Sequence, residues 1–274
     1  MTDLAEALST GHLDLEGVLA DASNLTARVV LTGASGRAGG VRGLYKPIRG
    51  EAPLPDFPEG TLGHREVAAY LVSAAGGWDL IPPTVLREGP LGRGSLQLWV
   101  DWEAAGRQPG EGLLEVFPAE SVPDGWLAVV HGEDGAGDSV VVAHRDAPDL
   151  ASMAVLDLVL NNADRKGAHL VRDASGRLWG FDHGLTLHRV DKLRTVLWGW
   201  AGRPLPAADV DRLERLADTL ERTGGGIKRA GHDIQQLVSD REYAALTGRV
   251  SALLARPAFP EPPTDRYPLP WPLW

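Results

Sequence analysis

Two aspartates in the middle of the chain follow short apolar segments and are well placed for chemistry. Asp164 lies in a polar loop, residues 161–167, that follows an apolar helix predicted over residues 150–160. Asp182 comes at the end of a short hairpin predicted over residues 170–181. A loop carboxylate followed, one hairpin later, by a strand that ends on Asp-x-Gly places two carboxylates around a metal ion and reactive phosphates. The spacing therefore indicates phosphoryl transfer.

A lysine and a glutamate nearer the N-terminus complete such a site. Lys46 is one of four lysines in the chain and lies near the end of a strand predicted over residues 41–47. Glu66 borders the apolar stripe of a helix predicted from residue 62 and ended by two glycines at 76–77. In kinases, a lysine on the third strand pairs with a helix glutamate and holds the nucleotide phosphates. The alternative for each residue is a solvated surface side chain.

Two further segments are candidates for nucleotide contacts. Residues 13–31 predict two short strands around a turn that contains Ser23 and Asn24, which would lie over the phosphates. This turn lacks the G-x-G-x-x-G pattern, so an ordinary surface hairpin is the alternative. A strand predicted over residues 95–100 would lead into a hinge where an adenine ring takes backbone hydrogen bonds, unless these residues are plain sheet core. The hinge candidates are Gln97, Leu98, Trp99 and Val100.

Composition excludes several classes of function. The 274-residue chain carries a formal net charge of −10, which argues against nucleic acid as a partner, and it contains no cysteine. Disulfides, thiolate nucleophiles and Cys-based zinc sites are therefore excluded. No apolar run reaches the roughly 20 residues that cross a bilayer, and the N-terminus lacks a signal-peptide pattern. We expect a cytoplasmic protein without a transmembrane segment.

The order of elements predicts an α+β chain of two lobes with the active site in the cleft between them. Residues 1–100 would form an N-lobe of antiparallel sheet plus one helix, and residues 101–274 a mainly helical C-lobe. The C-lobe would begin with an acidic insertion (101–147) that contains one strand at 139–143, followed by a helix with Asp149 as its N-cap and then the catalytic and metal loops (160–185). A helix over 207–222 and a helix that starts at a Ser239–Glu242 capping box would come next. The last segment would be a non-helical, proline-rich tail (256–274) that packs on the domain.

Four short motifs in this order carry a family resemblance. They are Tyr45-Lys46-Pro47, residues 65–71, Asn162-Ala163-Asp164-Arg165 and residues 182–185. Together they resemble the phosphatidylinositol 3-/4-kinase-like superfamily over roughly residues 13–200. The nearest parallels are the type II phosphatidylinositol 4-kinases and a group of actinobacterial proteins labelled phosphatidylinositol-kinase-like. The resemblance implies a two-lobed protein-kinase-like fold.

The resemblance also implies ATP and a divalent ion, Mg²⁺ or Mn²⁺, as cofactors and a role for each candidate. Lys46 would hold the α- and β-phosphates, and Glu66 would hold Lys46. Asp164 would orient or deprotonate the acceptor hydroxyl, and Asp182 would bind the metal ion. These roles suit phosphoryl transfer, which needs cations to neutralise developing charge.

One position departs from the family pattern. The family has a second metal ligand, Asn, five residues after the catalytic Asp, and His169 stands at that position here. Because manganese tolerates nitrogen ligands better than magnesium does, activity would favour manganese, use one metal ion, or be lost. Arg165 and Lys166 would supply positive charge on the acceptor side, with a salt bridge inside the loop as the alternative for either.

Three functions are compatible with these residues. The first is an ATP-dependent kinase that phosphorylates a hydroxyl group on a protein, a small molecule or an inositol lipid. The second is a nucleotide-binding pseudokinase with a regulatory role, and the third is transfer of AMP on the same fold. A zinc enzyme is disfavoured because His183 and His188 have no convincing third ligand.

Overall fold

A five-stranded antiparallel sheet forms the N-terminal part of the protein. The computed structural model describes residues 2–19, 24–32, 40–103, 106–221 and 229–274. The sheet has the order β1-β2-β3-β5-β4. Its elements and the two helices beside it are α1 (Thr2–Thr10), β1 (His12–Val18), β2 (Ala27–Thr32), β3 (Val41–Pro47), α2 (Leu62–Gly76), β4 (Thr84–Gly89) and β5 (Gly92–Leu98).

Alternation along the strands decides which side chains face the core of this sheet. Ala27, Val29 and Leu31 of β2 are fully buried, whereas the residues between them are half-buried. Tyr45 on the central strand β3 belongs to the same apolar cluster. Because successive side chains point to opposite faces of a strand, Lys46 lies on the other face, where α2 packs. The predicted strands in residues 13–47 are confirmed.

A second sheet occupies the acidic segment that was predicted to contain one strand. It consists of β6 (Leu114–Pro118), β7 (Trp126–Glu133) and β8 (Ser139–Arg145), with β8 in the middle. Only the central strand buries a continuous run, Val141 to His144. The flanking strand β7 is half-buried to exposed throughout, so its sequence lacks the alternation that a half-buried strand shows.

The C-terminal part is mainly helical. Its elements are α3 (Pro148–Leu160), β9 (Leu170–Arg172), β10 (Leu178–Gly180), α4 (Ala207–Glu221), α5 (Arg229–Leu237) and α6 (Asp240–Ala255). After its first turn, helix α3 is apolar on every face except at Ser152 and Asp157, and it lies at the centre of the largest apolar cluster, as expected for a buried helix. Within the described ranges, no helix has the length and apolarity needed to cross a membrane.

Two local predictions about helix starts have different outcomes. The capping box of α6 is confirmed: Glu242 Oε2 accepts the Ser239 N–H at 2.9 Å, and Ser239 Oγ accepts the Glu242 N–H at 3.4 Å. The predicted N-cap at Asp149 is wrong. Ala147 takes the N-cap position with a proline at the first helical position, and Asp149 accepts a hydrogen bond from Arg172 at 2.6 Å.

The proline-rich tail packs on the rest of the protein, as predicted. Leu269 is buried beside Trp198 and Leu193. Two residues later, Trp271 is 80% exposed. The tail then returns to the domain, where the Leu273 carbonyl accepts a hydrogen bond from the Gly167 N–H at 2.8 Å. This contact brings the tail to the loop that contains Asp164.

Candidate active site

Lys46 lies between two carboxylates that come from different parts of the chain. Its Nζ donates to Glu66 Oε1 at 2.6 Å and to Asp182 Oδ1 at 2.9 Å. The Glu66 side chain is almost fully buried, whereas the Asp182 side chain is 54% exposed and lines a cavity. The structure therefore brings the sheet lysine, the helix glutamate and the strand-end aspartate into direct contact.

The charges of this cluster are strongly perturbed. Burial alone would lower the pKa of Lys46, but the two carboxylates together raise it well above its ordinary value. Lys46 holds the pKa of Asp182 far below the usual range. Burial raises the pKa of Glu66, against the opposing effect of Lys46. One ammonium thus faces two carboxylates, and the more accessible one, Asp182, stays ionised.

Backbone geometry fixes where Asp182 and Glu66 point. Strands β9 and β10 pair as a hairpin, and Asp182 follows β10 with a positive φ of 55°. A non-glycine residue in this region is uncommon and occurs where the surroundings impose it, often at functional sites. The next N–H group, from His183, donates to Glu66 Oε2 at 3.0 Å. The same glutamate therefore fixes both the lysine and the turn that presents Asp182.

Asp164 is presented by the loop that follows α3. Asn161 ends the helix in a left-handed conformation, and Asn162 Oδ1 accepts the Asp164 N–H at 3.0 Å. Lys166 Nζ lies 3.1 Å from Asp164 Oδ2. Burial raises the pKa of Asp164, whereas Lys166 opposes that effect. A carboxylate with a raised pKa beside an ammonium is suited to accept a proton from a hydroxyl group.

Arg165 does not point to the acceptor side, so the prediction of positive charge there is wrong for this residue. Its guanidinium is fully buried and donates to both carboxylate oxygens of Asp157 at 2.9–3.2 Å. It also donates to the carbonyls of His169 and Phe181 and to His183 Nε2. An isolated carboxylate inside an apolar helix must be paired, and Arg165 is that partner.

Two adjoining cavities flank the charged cluster. The larger, of about 430 Å³, lies under the sheet and reaches residues 97–100. The smaller, of about 210 Å³, contains Asp164 and is bordered by α2 and by residues 51–54. Both are lined by Asn24, Lys46, Lys166 and Asp182. The larger cavity has the size of a small-molecule site, and the two share the residues that could hold phosphates.

The remaining nucleotide candidates line the larger cavity as far as they are described. Gln97, Leu98, Trp99 and Val100 all contribute to its wall. Asn24 lies at the border of both cavities, and its Oδ1 accepts the Ala52 N–H at 2.7 Å. Ser23 lies outside the described residues, so its role stays a prediction.

Asp182 and His169 are the described side chains that could hold a divalent ion. His169 Nε2 lies 3.5 Å from Asp182 Oδ2, and two neighbouring ligands of one octahedral ion lie about 3 Å apart. Burial lowers the pKa of His169 to about 4, so the imidazole is neutral and able to ligate near pH 7. No group of three or more ligating side chains occurs in the part of the chain that the structure describes. Further ligands would have to be phosphate oxygens and water, as is usual for magnesium in phosphoryl transfer.

The fold belongs to the protein-kinase-like class. The fold is similar to that of the Golgi casein kinase: a crystal structure with Mn and ADP bound has a TM-score of 0.55 and 13% identity, covering 93% of this chain and 74% of that chain. A second crystal structure of the Golgi casein kinase has a TM-score of 0.54, with 92% and 74% covered. The chain thus has a protein-kinase-like α+β fold, an antiparallel N-terminal sheet followed by a helical part, as predicted.

The sequence relationship is closer to a mycobacterial protein. The chain is 44% identical over 272 residues to Protein Rv2133c of Mycobacterium tuberculosis (strain ATCC 25618 / H37Rv), covering 97% of this chain and 93% of the relative. The chain belongs to the same family as that protein. No family model matches the sequence. The finer resemblance to phosphatidylinositol 3-/4-kinases stays a prediction.

Two residues at the site were not predicted from the sequence. Glu51 accepts the backbone N–H groups of Leu62 and Gly63 and so caps the first turn of α2 beside the smaller cavity. Trp274 lines the larger cavity from the far end of the chain. A glutamate eleven residues before a helix carries no local capping signal. The contact of Trp274 with the cavity leaves no pattern in the sequence, because the contacting residues are far apart in the chain.

The buried pair of Asp157 and Arg165 allows a test of what holds the loop that contains Asp164. Asp157→Asn leaves the guanidinium uncompensated in the core, so the free energy of unfolding in urea should fall by about 3–5 kcal/mol. Asp265→Asn removes an exposed partner of Arg266 and should cost less than about 1 kcal/mol. Equal small losses in the two variants would contradict the structural role of the pair.

Proposed function

We propose that the protein is an ATP-dependent phosphotransferase that transfers the γ-phosphoryl group of ATP to a hydroxyl acceptor. The observation that carries the proposal is Lys46, bonded to Glu66 and Asp182 at the junction of two cavities. A structural ion pair alone would not require a half-exposed carboxylate at a positive φ facing a cavity. The similarity in fold to a structure with Mn and ADP bound supports the same reading.

The larger cavity would take the nucleotide. Residues 97–100 would contact the base, and Asn24 with Ser23 would lie near the phosphates. Lys46 would move its ammonium from Asp182 to the α- and β-phosphates while Glu66 keeps it oriented. Glu66 is suited to this because its second oxygen is already fixed by the His183 N–H.

Asp182 and His169 would hold the divalent ion, which would neutralise charge that develops on the transferred phosphoryl group. Asp182 is ionised at any physiological pH, since its pKa is far below the usual range. The neutral imidazole of His169 is a nitrogen ligand, so we expect manganese to be favoured over magnesium.

Asp164 would act on the acceptor from the smaller cavity. Its carboxylate would accept a hydrogen bond, and then the proton, from the attacking hydroxyl group. Lys166 would remain beside it and balance the charge on the acceptor side. The acceptor belongs to a protein, a small molecule or an inositol lipid, in keeping with the resemblance to phosphatidylinositol 3-/4-kinases.

Transfer can be tested with ATP labelled at either end. With γ-labelled ATP and Mn²⁺, the wild-type protein should label an acceptor or itself. Asp164→Asn should lower the rate about 10²- to 10⁴-fold and leave nucleotide affinity within a few-fold of wild type, because Asp164 acts on the acceptor. Asp138→Asn, in the exposed turn between β7 and β8, is the matched control and should be unchanged.

Three outcomes would contradict this proposal. Transfer from α-labelled ATP would instead indicate an AMP transferase. Nucleotide binding without transfer of either label would favour a pseudokinase. Equal rates for the Asp164→Asn variant and the wild type would remove Asp164 from the mechanism.

The role of His169 predicts a change in metal preference. His169→Asn replaces a nitrogen ligand with an amide oxygen, so the ratio of nucleotide affinity with Mg²⁺ to that with Mn²⁺ should rise by roughly tenfold. Calorimetric titration of a non-hydrolysable ATP analogue in each metal measures this ratio. His131→Asn, on the exposed face of β7, should leave it unchanged. A ratio that stays constant in His169→Asn would show that the imidazole does not meet the ion.

A further inference from the structure

The tail brings an aromatic side chain into the larger cavity. Trp274 lines that cavity together with Lys166, Ala168 and Phe181, although more than a hundred residues separate it from the catalytic loop. Its side chain lies directly on Gly167, where a Cβ atom would be 3.2 Å from the indole Cδ1 and Nε1. That separation is tighter than ordinary van der Waals contact, and the same Cβ would be 2.8 Å from Leu114 Cδ2, so glycine at this position leaves room for both side chains.

Hydrogen bonds hold the tail in this place. The Gly167 N–H donates to the Leu273 carbonyl at 2.8 Å. The Pro268 carbonyl accepts from the Thr195 N–H at 3.2 Å and from Trp198 Nε1 at 2.9 Å. Leu269 is buried between these contacts. The backbone on which Trp274 stands is therefore fixed to the catalytic loop and to the segment beside it.

The position of Trp274 relative to the two cavities indicates which part of a ligand it would meet. It lines the cavity that reaches residues 97–100 and does not line the cavity that contains Asp164. The other apolar lining residues of the first cavity include Leu44, Leu98 and Val171. Trp274 is 42% exposed and shares the cavity with these apolar side chains, so its indole is suited to contact a flat base or a ribose, and not a phosphate.

We propose that Trp274 is a nucleoside-binding residue, so that the proline-rich tail forms one wall of the nucleotide site. This inference rests on the proposed function. The tail already lies on Gly167 and completes the cavity, so the indole would contact the base or ribose of the bound nucleotide. Recognition of the triphosphate would stay with Lys46 and Asp182.

Comparing the binding of an ATP analogue with that of inorganic triphosphate distinguishes contacts to the nucleoside from contacts to the phosphates. Trp274→Ala should raise the dissociation constant of a non-hydrolysable ATP analogue with Mn²⁺ about tenfold, since aromatic contacts to bases contribute by roughly this amount. The affinity of inorganic triphosphate with Mn²⁺ should not change. Trp274→Phe should retain most of the ATP-analogue affinity. Trp271→Ala, in the same tail but 80% exposed and outside the cavity lining, is the matched control and should bind both ligands as wild type does.

The outcomes distinguish this inference from the proposed function. If the wild type binds the ATP analogue and Trp274→Ala binds it equally or more tightly, Trp274 is not a nucleoside-binding residue, while the proposed function stands. Equal losses of ATP analogue and triphosphate would show that the tail only supports the fold, and would also overturn the inference. If the wild type binds neither ligand, the proposed function fails and the inference fails with it.

Discussion

The buried pair of Arg165 and Asp157 is the interaction on which the site depends. The guanidinium of Arg165, in the loop that contains Asp164, donates hydrogen bonds to Asp157, to the carbonyl of His169 and to the carbonyl of Phe181 at the end of the hairpin. Desolvating two ions costs several kcal/mol, and the pair offsets this cost only because every hydrogen-bond direction of the guanidinium is used. The residues on either side, 164 and 166, line the cleft. The buried guanidinium of Arg165 thus positions the neighbouring side chains of Asp164 and Lys166, which face the cleft.

A second set of contacts sets the electrostatics of the cleft. The ammonium of Lys46 lies between two carboxylates, and it holds the pKa of the more accessible one, Asp182, far below the usual range. In the proposed function, a divalent ion would bind at this carboxylate and would release the lysine for phosphate oxygens. The burial that raises the pKa of Glu66 also keeps water from competing for Lys46. Phosphoryl transfer depends mainly on charge placed in advance, which is the role proposed for these three side chains.

The parts of this fold that the sequence predicted are those with local signals. The strand that ends at Lys46, the hairpin before Asp182 and the capping box of α6 each carry their pattern within a few residues. No local pattern indicates that the Arg165 side chain is buried. The isolated Asp157 in an apolar helix does imply that a buried cation pairs with it, but not which one. Strand β7 was missed because its side chains are half-buried or exposed, and Trp274 because contacts across a hundred residues leave no periodicity.

Metal coordination in a bound complex tests the account most directly. Crystals soaked with a non-hydrolysable ATP analogue and Mn²⁺ would locate the ion by its anomalous scattering. We expect the ion at Asp182 and His169, with the triphosphate in the larger cavity and Lys46 Nζ on a phosphate oxygen. An analogue bound outside this cavity, or manganese that contacts neither residue, would contradict the central claim that these side chains form a phosphoryl-transfer site.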